Sequence, residues 1–142
     1  MIENAYVSFE VAKLLKEKRF DIPCDSYYDY FSSNITMYQG YVPEFSGNCT
    51  NHNGRGNHDV YSRPTQQLAM RWLREVHGIH IQAFCPVVDV DCDILGVTYN
   101  VVISNLKNCC LAFDTPLEDV EYKSYEKACE AALKYCLEHL IN

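Results

Sequence analysis

Apolar positions recur with a helical period in three stretches of the chain. Between Ser8 and Arg19, Val11, Leu14 and Leu15 form an i, i+3, i+4 stripe, Ser8 is placed to cap the first turn and Glu10 sits within it. That pattern predicts a helix. A second helix is predicted from Pro64 onward, with Leu68, Ala69, Trp72, Leu73 and Val76 on one face and Gly78 as a left-handed stop. A third is expected to open at Ser124 and end near Ile141, with Leu133, Leu137 and Leu140 along one side and Ala128, Cys129, Ala132 and Cys136 beside them.

After Gly78 the period changes to two. Ile79, Ile81 and Ala83 alternate with His80, Gln82 and Phe84, and Val97, Tyr99, Val101 and Ile103 alternate with Thr98, Asn100 and Val102. Two strands are predicted, and a third short one, Cys109 to Phe113, after the polar turn that begins at Asn105. Residues 27–62 show no clear period; their tyrosines and phenylalanines are scattered among Asn, Ser and Gly. They read as a long functional loop or an irregular strand pair, because structureless loops of that length are uncommon in compact domains. The expected order is α-(irregular/β)-α-β-β-β-α. This is an α+β fold, an antiparallel β-meander of about three strands with helices packed on one face. The 142 residues suit a single domain with 27–62 as an aromatic- and Asn/Gly-rich insertion or loop.

Charge narrows the function. A formal net charge of −7 argues against general nucleic-acid binding, which needs clustered Lys and Arg. The longest apolar-leaning run, Ile94 to Ile103, is broken by Gly96, Thr98 and Asn100 and is too short for a membrane span. The opening residues lack a basic n-region and an apolar h-region, so a cytoplasmic setting is the expectation. Eight cysteines occur without a CxxC pair, and Cys129 and Cys136, seven apart on a helical pattern, read as small buried hydrophobes.

Candidate chemistry is sparse. Cys49, His52 and His58 supply three zinc-competent ligands within ten residues, in an Asn/Gly-rich setting that gives little rigid support. Asp89, Asp91 and Asp93 are spaced like the start of a calcium loop, but Ile94 stands where that loop needs glycine and Asn100 where it needs glutamate. No GxSxG elbow is present, Cys109-Cys110 has no evident partner histidine, and Ser62 with His58 is only an i, i+4 proximity. No metal or cofactor follows from these patterns.

One window stands apart in this acidic chain. Four of the five arginines, Arg55, Arg63, Arg71 and Arg74, fall between residues 55 and 74, and no lysine does. Arg55, His58, Tyr61 and Arg63 precede the second helix, and Thr65 and Gln66 lie in its first turn. A helix N-terminus presents unsatisfied N–H groups that favour an anion, and the arginine fork matches phosphate or carboxylate and stacks on aromatic rings. These six residues are the candidate ligand-binding set. Arg71 can instead pair with Glu75 one turn away, leaving Arg74 solvated.

Three segments, "SFEVAKLLKEK", "PTQ" leading into "WLREVHGIHI", and the final "YEKACEAALKYCLEHLI", resemble a group of short phage- and prophage-encoded proteins of gut anaerobes. The resemblance covers residues 8–19, 62–81 and 124–141 and brings no catalytic motif with it. It implies an accessory protein made inside a bacterial host cell. The leading expectation is therefore a non-enzymatic protein that binds or sequesters a small anionic ligand, such as a host signalling nucleotide, or docks on a host protein. A metal-dependent hydrolase using Cys49, His52 and His58 or the Asp89, Asp91 and Asp93 cluster is the second reading. A structural or homo-oligomerising module, favoured by any exposed apolar surface on the Trp72 helix, is the third.

Overall fold

The computed structural model describes residues 2–31, 34–39, 51–54, 60–86, 97–108 and 111–142. Helix α1 spans Phe9–Glu17. Strands β1 (Ser26–Phe31), β2 (Asn34–Gln39) and β3 (Val60–Ser62) follow, and α2 runs Gln66–His77. Strands β4 (Ile79–Phe84), β5 (Asn100–Asn105) and β6 (Leu111–Ala112) precede α3 (Tyr125–Tyr135), which continues into a π-helical turn, Cys136–Leu140. Two three-stranded antiparallel sheets result, ordered β2-β1-β3 and β4-β5-β6. The α+β class and the β4-β5-β6 meander are those expected from the periodicity.

Each helix starts on a side-chain cap. The hydroxyls of Ser8, Thr65 and Ser124 accept from the backbone N–H groups of Val11, Leu68 and Lys127, which fills one of the donors that every helix start leaves open. Pro64 therefore lies before the helix rather than in its first turn. Gly78 ends α2 at φ 68°, the left-handed geometry that only glycine adopts without strain.

Helix α1 ends the same way with a different residue. The N–H of Phe20 donates to the Leu15 carbonyl and that of Arg19 to the Lys16 carbonyl, while Arg19 holds φ 65° where glycine is usual. Phe20 and Leu15 close the apolar contact that accompanies this cap, both fully buried. A left-handed residue with a Cβ costs about 1–2 kcal/mol.

The core lies between the helices and the β4-β5-β6 sheet. Ile81 faces Ile103 across the ladder and Ala83 faces Val101, so Ile79, Ile81, Val101 and Ile103 turn one apolar face toward α2 and α3. Leu73 of α2 and Leu133 and Leu137 near the C-terminus are wholly buried against it. Cys129 and Cys136 are buried free thiols, as their spacing predicts.

Residues 27–62 differ from a loop where they are described. Strands β1, β2 and β3 form a second sheet, and β1 alternates conventionally, with Ser26 and Tyr28 buried and Tyr27 and Asp29 half-buried. The period was concealed because tyrosines occupy both faces. Truncating Leu133 to alanine should cost about 2–5 kcal/mol, as for other fully buried leucines, and urea denaturation would show this as a lower midpoint with an unchanged slope.

Candidate functional site

An extended strap, residues 5–8, runs along the β3–α2 corner. Val7 N–H donates to the Pro64 carbonyl at 3.0 Å, and Gln66 N–H donates to the Ala5 carbonyl at 2.8 Å. The Tyr28 hydroxyl donates to the Val7 carbonyl at 2.6 Å from β1. Ser8 N–H donates to one oxygen of the Glu130 carboxylate, at 3.1 Å, and Gln66 Nε2 to the other, at 3.3 Å. The strap thereby ties β1, α2 and α3 together.

This arrangement redistributes the residues expected to hold an anion. Thr65 is the helix cap, and Gln66 is buried, donating also to the Glu126 carbonyl at 2.9 Å. The N–H groups of Gln66 and Leu68 are taken by the protein itself, so the start of α2 binds its own chain. Arg71 pairs with Glu75 at 2.8 Å on the exposed face, and Arg74 is exposed. Arg55 and His58 lie outside the described residues.

Arg63 and Tyr61 remain, and they belong to a row of rings and cations. The Arg63 guanidinium lies 4.0 Å from the centroid of Tyr6 and 5.5 Å from that of Tyr28. Tyr28 meets Phe9 edge-on at 5.6 Å, Phe9 meets Tyr61 edge-on at 5.3 Å, and Lys16 Nζ sits 4.7 Å from the Tyr61 centroid. Arginine over a tyrosine face is an attractive cation–π arrangement, stronger where water is excluded.

The electrostatics centre on Arg63. Its backbone is fixed to Ser26, whose carbonyl accepts from Arg63 N–H and whose hydroxyl donates to the Arg63 carbonyl. Its Nε is buried and has no hydrogen-bond partner among the described residues, and no carboxylate pairs with it there. The nearby carboxylates are engaged otherwise, Asp25 with the Tyr6 hydroxyl at 3.2 Å and Glu130 with Ser8 and Gln66. Burial raises the Tyr28 phenol above its ordinary range, and Arg63 opposes this through its charge and a side-chain hydrogen bond. Burial is also the main reason the Tyr6 phenol is raised, with Asp25 adding to it.

Sequence spacing put Arg63 and Tyr61 in the candidate set, and left out Tyr6, Tyr28, Phe9 and Lys16, which the fold brings beside them. One signal was present in α1, where Phe9, Lys13 and Lys16 repeat at i, i+4, i+7 on the side away from Val11 and Leu15. Nothing local could have paired Tyr6 with Arg63.

The other chemistries fare differently. His52 is buried, its Nε2 lies 3.2 Å from the Cys24 carbonyl, its ring lies tilted against Tyr27 at 4.6 Å, and its backbone N–H donates to the buried Ser62 hydroxyl. Cys49, Asp89, Asp91, Asp93, Cys109 and Cys110 lie outside the described residues, and among the described residues no three His, Cys, Asp or Glu side chains converge as metal ligands. Trp72 is only 4% exposed, so α2 shows solvent Val76 rather than its tryptophan. Among the described residues no helix is long and apolar enough to cross a membrane. Comparison with protein-family models, curated proteins and solved structures finds no match.

Two outcomes follow from these roles. Replacing Thr65 with alanine should remove about 1 kcal/mol of stability, as loss of a helix cap does, measurable by thermal or urea unfolding. Burial pushes the Cys136 thiol up to about 12 and raises that of Cys129, so neither supplies thiolate at neutral pH. Peptide mapping after brief iodoacetamide treatment of native protein should find the exposed Cys85 alkylated, and Cys129 and Cys136 alkylated only after unfolding.

Proposed function

We propose that this protein is a non-enzymatic binding protein that holds a small anionic ligand at Arg63. The observation that carries the reading is a guanidinium set against two tyrosine rings, with a buried Nε that lacks an acceptor among the described residues. An unmet buried donor costs about 1–3 kcal/mol, and a phosphate or carboxylate oxygen brought to it would recover that. Arginine rather than lysine suits this place because its planar fork stacks on a ring and still directs donors sideways.

Turnover is not needed to account for this arrangement. The acidic groups nearby already accept hydrogen bonds, and the buried thiols are held protonated. Charge-assisted recognition by one clasped arginine suits retention of a ligand such as a signalling nucleotide. A bacterial host cell, the setting the resemblance of the helical segments implies, is one in which sequestering a nucleotide would blunt its signal.

Mass spectrometry of protein purified from bacteria, together with thermal shift against a panel of nucleotides and inorganic phosphate, tests the reading. At least one phosphate-bearing compound should co-purify or raise the melting temperature, with about 2.7 kcal/mol of stabilisation at a concentration 100 times its Kd. Arg63→Gln should abolish that shift while folding normally. If no compound in the panel shifts the melting temperature, or if Arg63→Gln responds as the unaltered protein does, the reading fails.

A further inference from the structure

A groove runs along α2 toward its C-terminal end. Its narrow part, about 240 Å³, has Ile22, Leu68, Trp72 and Val76 for walls, with the Arg71–Glu75 pair at the rim. Its wider part, about 710 Å³, shares Trp72 and Val76 and is bounded by Glu17, Lys18, Arg19 and Asp21 around the end of α1 and by His77 and Asn142. Trp72 and Val76 line both parts. Val76 is 54% exposed within it, an apolar side chain left facing solvent.

Arg19 is the second observation. It occupies the left-handed position that closes α1, where glycine would be free of strain, yet its side chain makes no hydrogen bond or ion pair among the described residues. The cap bonds of Phe20 and Arg19 hold that strained backbone in place. Glu17 and Asp21 likewise have no ion-pair partner there, whereas the neighbouring Lys18 is occupied, donating to the Ile141 carbonyl at 2.8 Å. Among the polar groups of the wide end, which include Lys18, His77 and Asn142, Arg19, Glu17 and Asp21 thus stand exposed and without an ion-pair partner among the described residues, beside an apolar wall.

We propose that this groove binds a free α-amino acid with an apolar side chain. Its carboxylate takes the Arg19 fork, its ammonium lies between Glu17 and Asp21, and its side chain enters the narrow part against Ile22, Trp72 and Val76. The complement to a site with both charges and an apolar slot is a zwitterion carrying an apolar group, and a bidentate arginine–carboxylate contact gives it orientation. The site is independent of Arg63 and requires nothing of the anion reading.

Isothermal titration of the full chain with leucine, phenylalanine and tryptophan tests this, with N-acetyl-leucine and leucinamide as probes lacking one charge each. At least one free amino acid should bind, and each blocked form should bind at least tenfold more weakly than leucine or the preferred residue. Arg19→Gly should raise the melting temperature by relieving the strain and weaken amino-acid binding at least tenfold, while Arg63→Gln binds unchanged. Absence of binding at millimolar concentration, equal binding of a blocked form, or undiminished binding by Arg19→Gly would each overturn the proposal.

Discussion

The strap at residues 5–8 is the constraint on which the arrangement around Arg63 depends. It is the point at which β1, the β3–α2 corner and α3 are joined, through the Tyr28 hydroxyl, the Pro64 carbonyl, the Gln66 N–H and both oxygens of Glu130. Backbone groups along such a segment must find partners when buried, and here they find them in three elements distant in sequence. The same strap carries Tyr6, so the hydrogen bonds that close the fold also set a ring over Arg63.

A consequence is a transfer of role from backbone to side chain. The open N–H groups of a helix start are a ready anion site only when the chain leaves them open. At α2 the strap and the Thr65 hydroxyl occupy those of Gln66 and Leu68. Charge recognition then falls to Arg63, one turn earlier, whose backbone is immobilised by Ser26 and whose guanidinium is aligned by two rings. The carboxylates that could neutralise it are held by other donors, which leaves the cation without a protein counter-ion among the described residues.

How much of this was legible depended on whether a signal was local. Ser8, Ser124 and Gly78 announced three helix boundaries because capping is decided within one turn. The β4–β5 ladder followed from an alternation of Ile and Val with polar neighbours. Pro64 misled slightly, since it precedes the Thr65 cap instead of lying in the first turn. The β1–β2–β3 sheet was obscured by tyrosines on both faces of β1, and a ring on a half-buried face looks in sequence like a ring in the core. Gln66 looked like a ligand group and is a buried tie to α3, because its partner Glu130 lies at the other end of the chain. The row of rings was invisible for the same reason. Arg55, His58, Cys49 and the three aspartates lie outside the described residues.

The central claim, that Arg63 is an anchor awaiting an anion, is tested most directly on the Nε–H group itself. Five arginines give few side-chain Nε–H resonances in a ¹⁵N–¹H spectrum, and the Arg63→Lys variant assigns the one of interest. Titration with the anionic compound that best stabilises the protein should move the Arg63 Nε–H resonance and slow its exchange with water, with the other four little changed. A saturating titration that leaves the Arg63 resonance in place, or that moves a different arginine, would contradict the account.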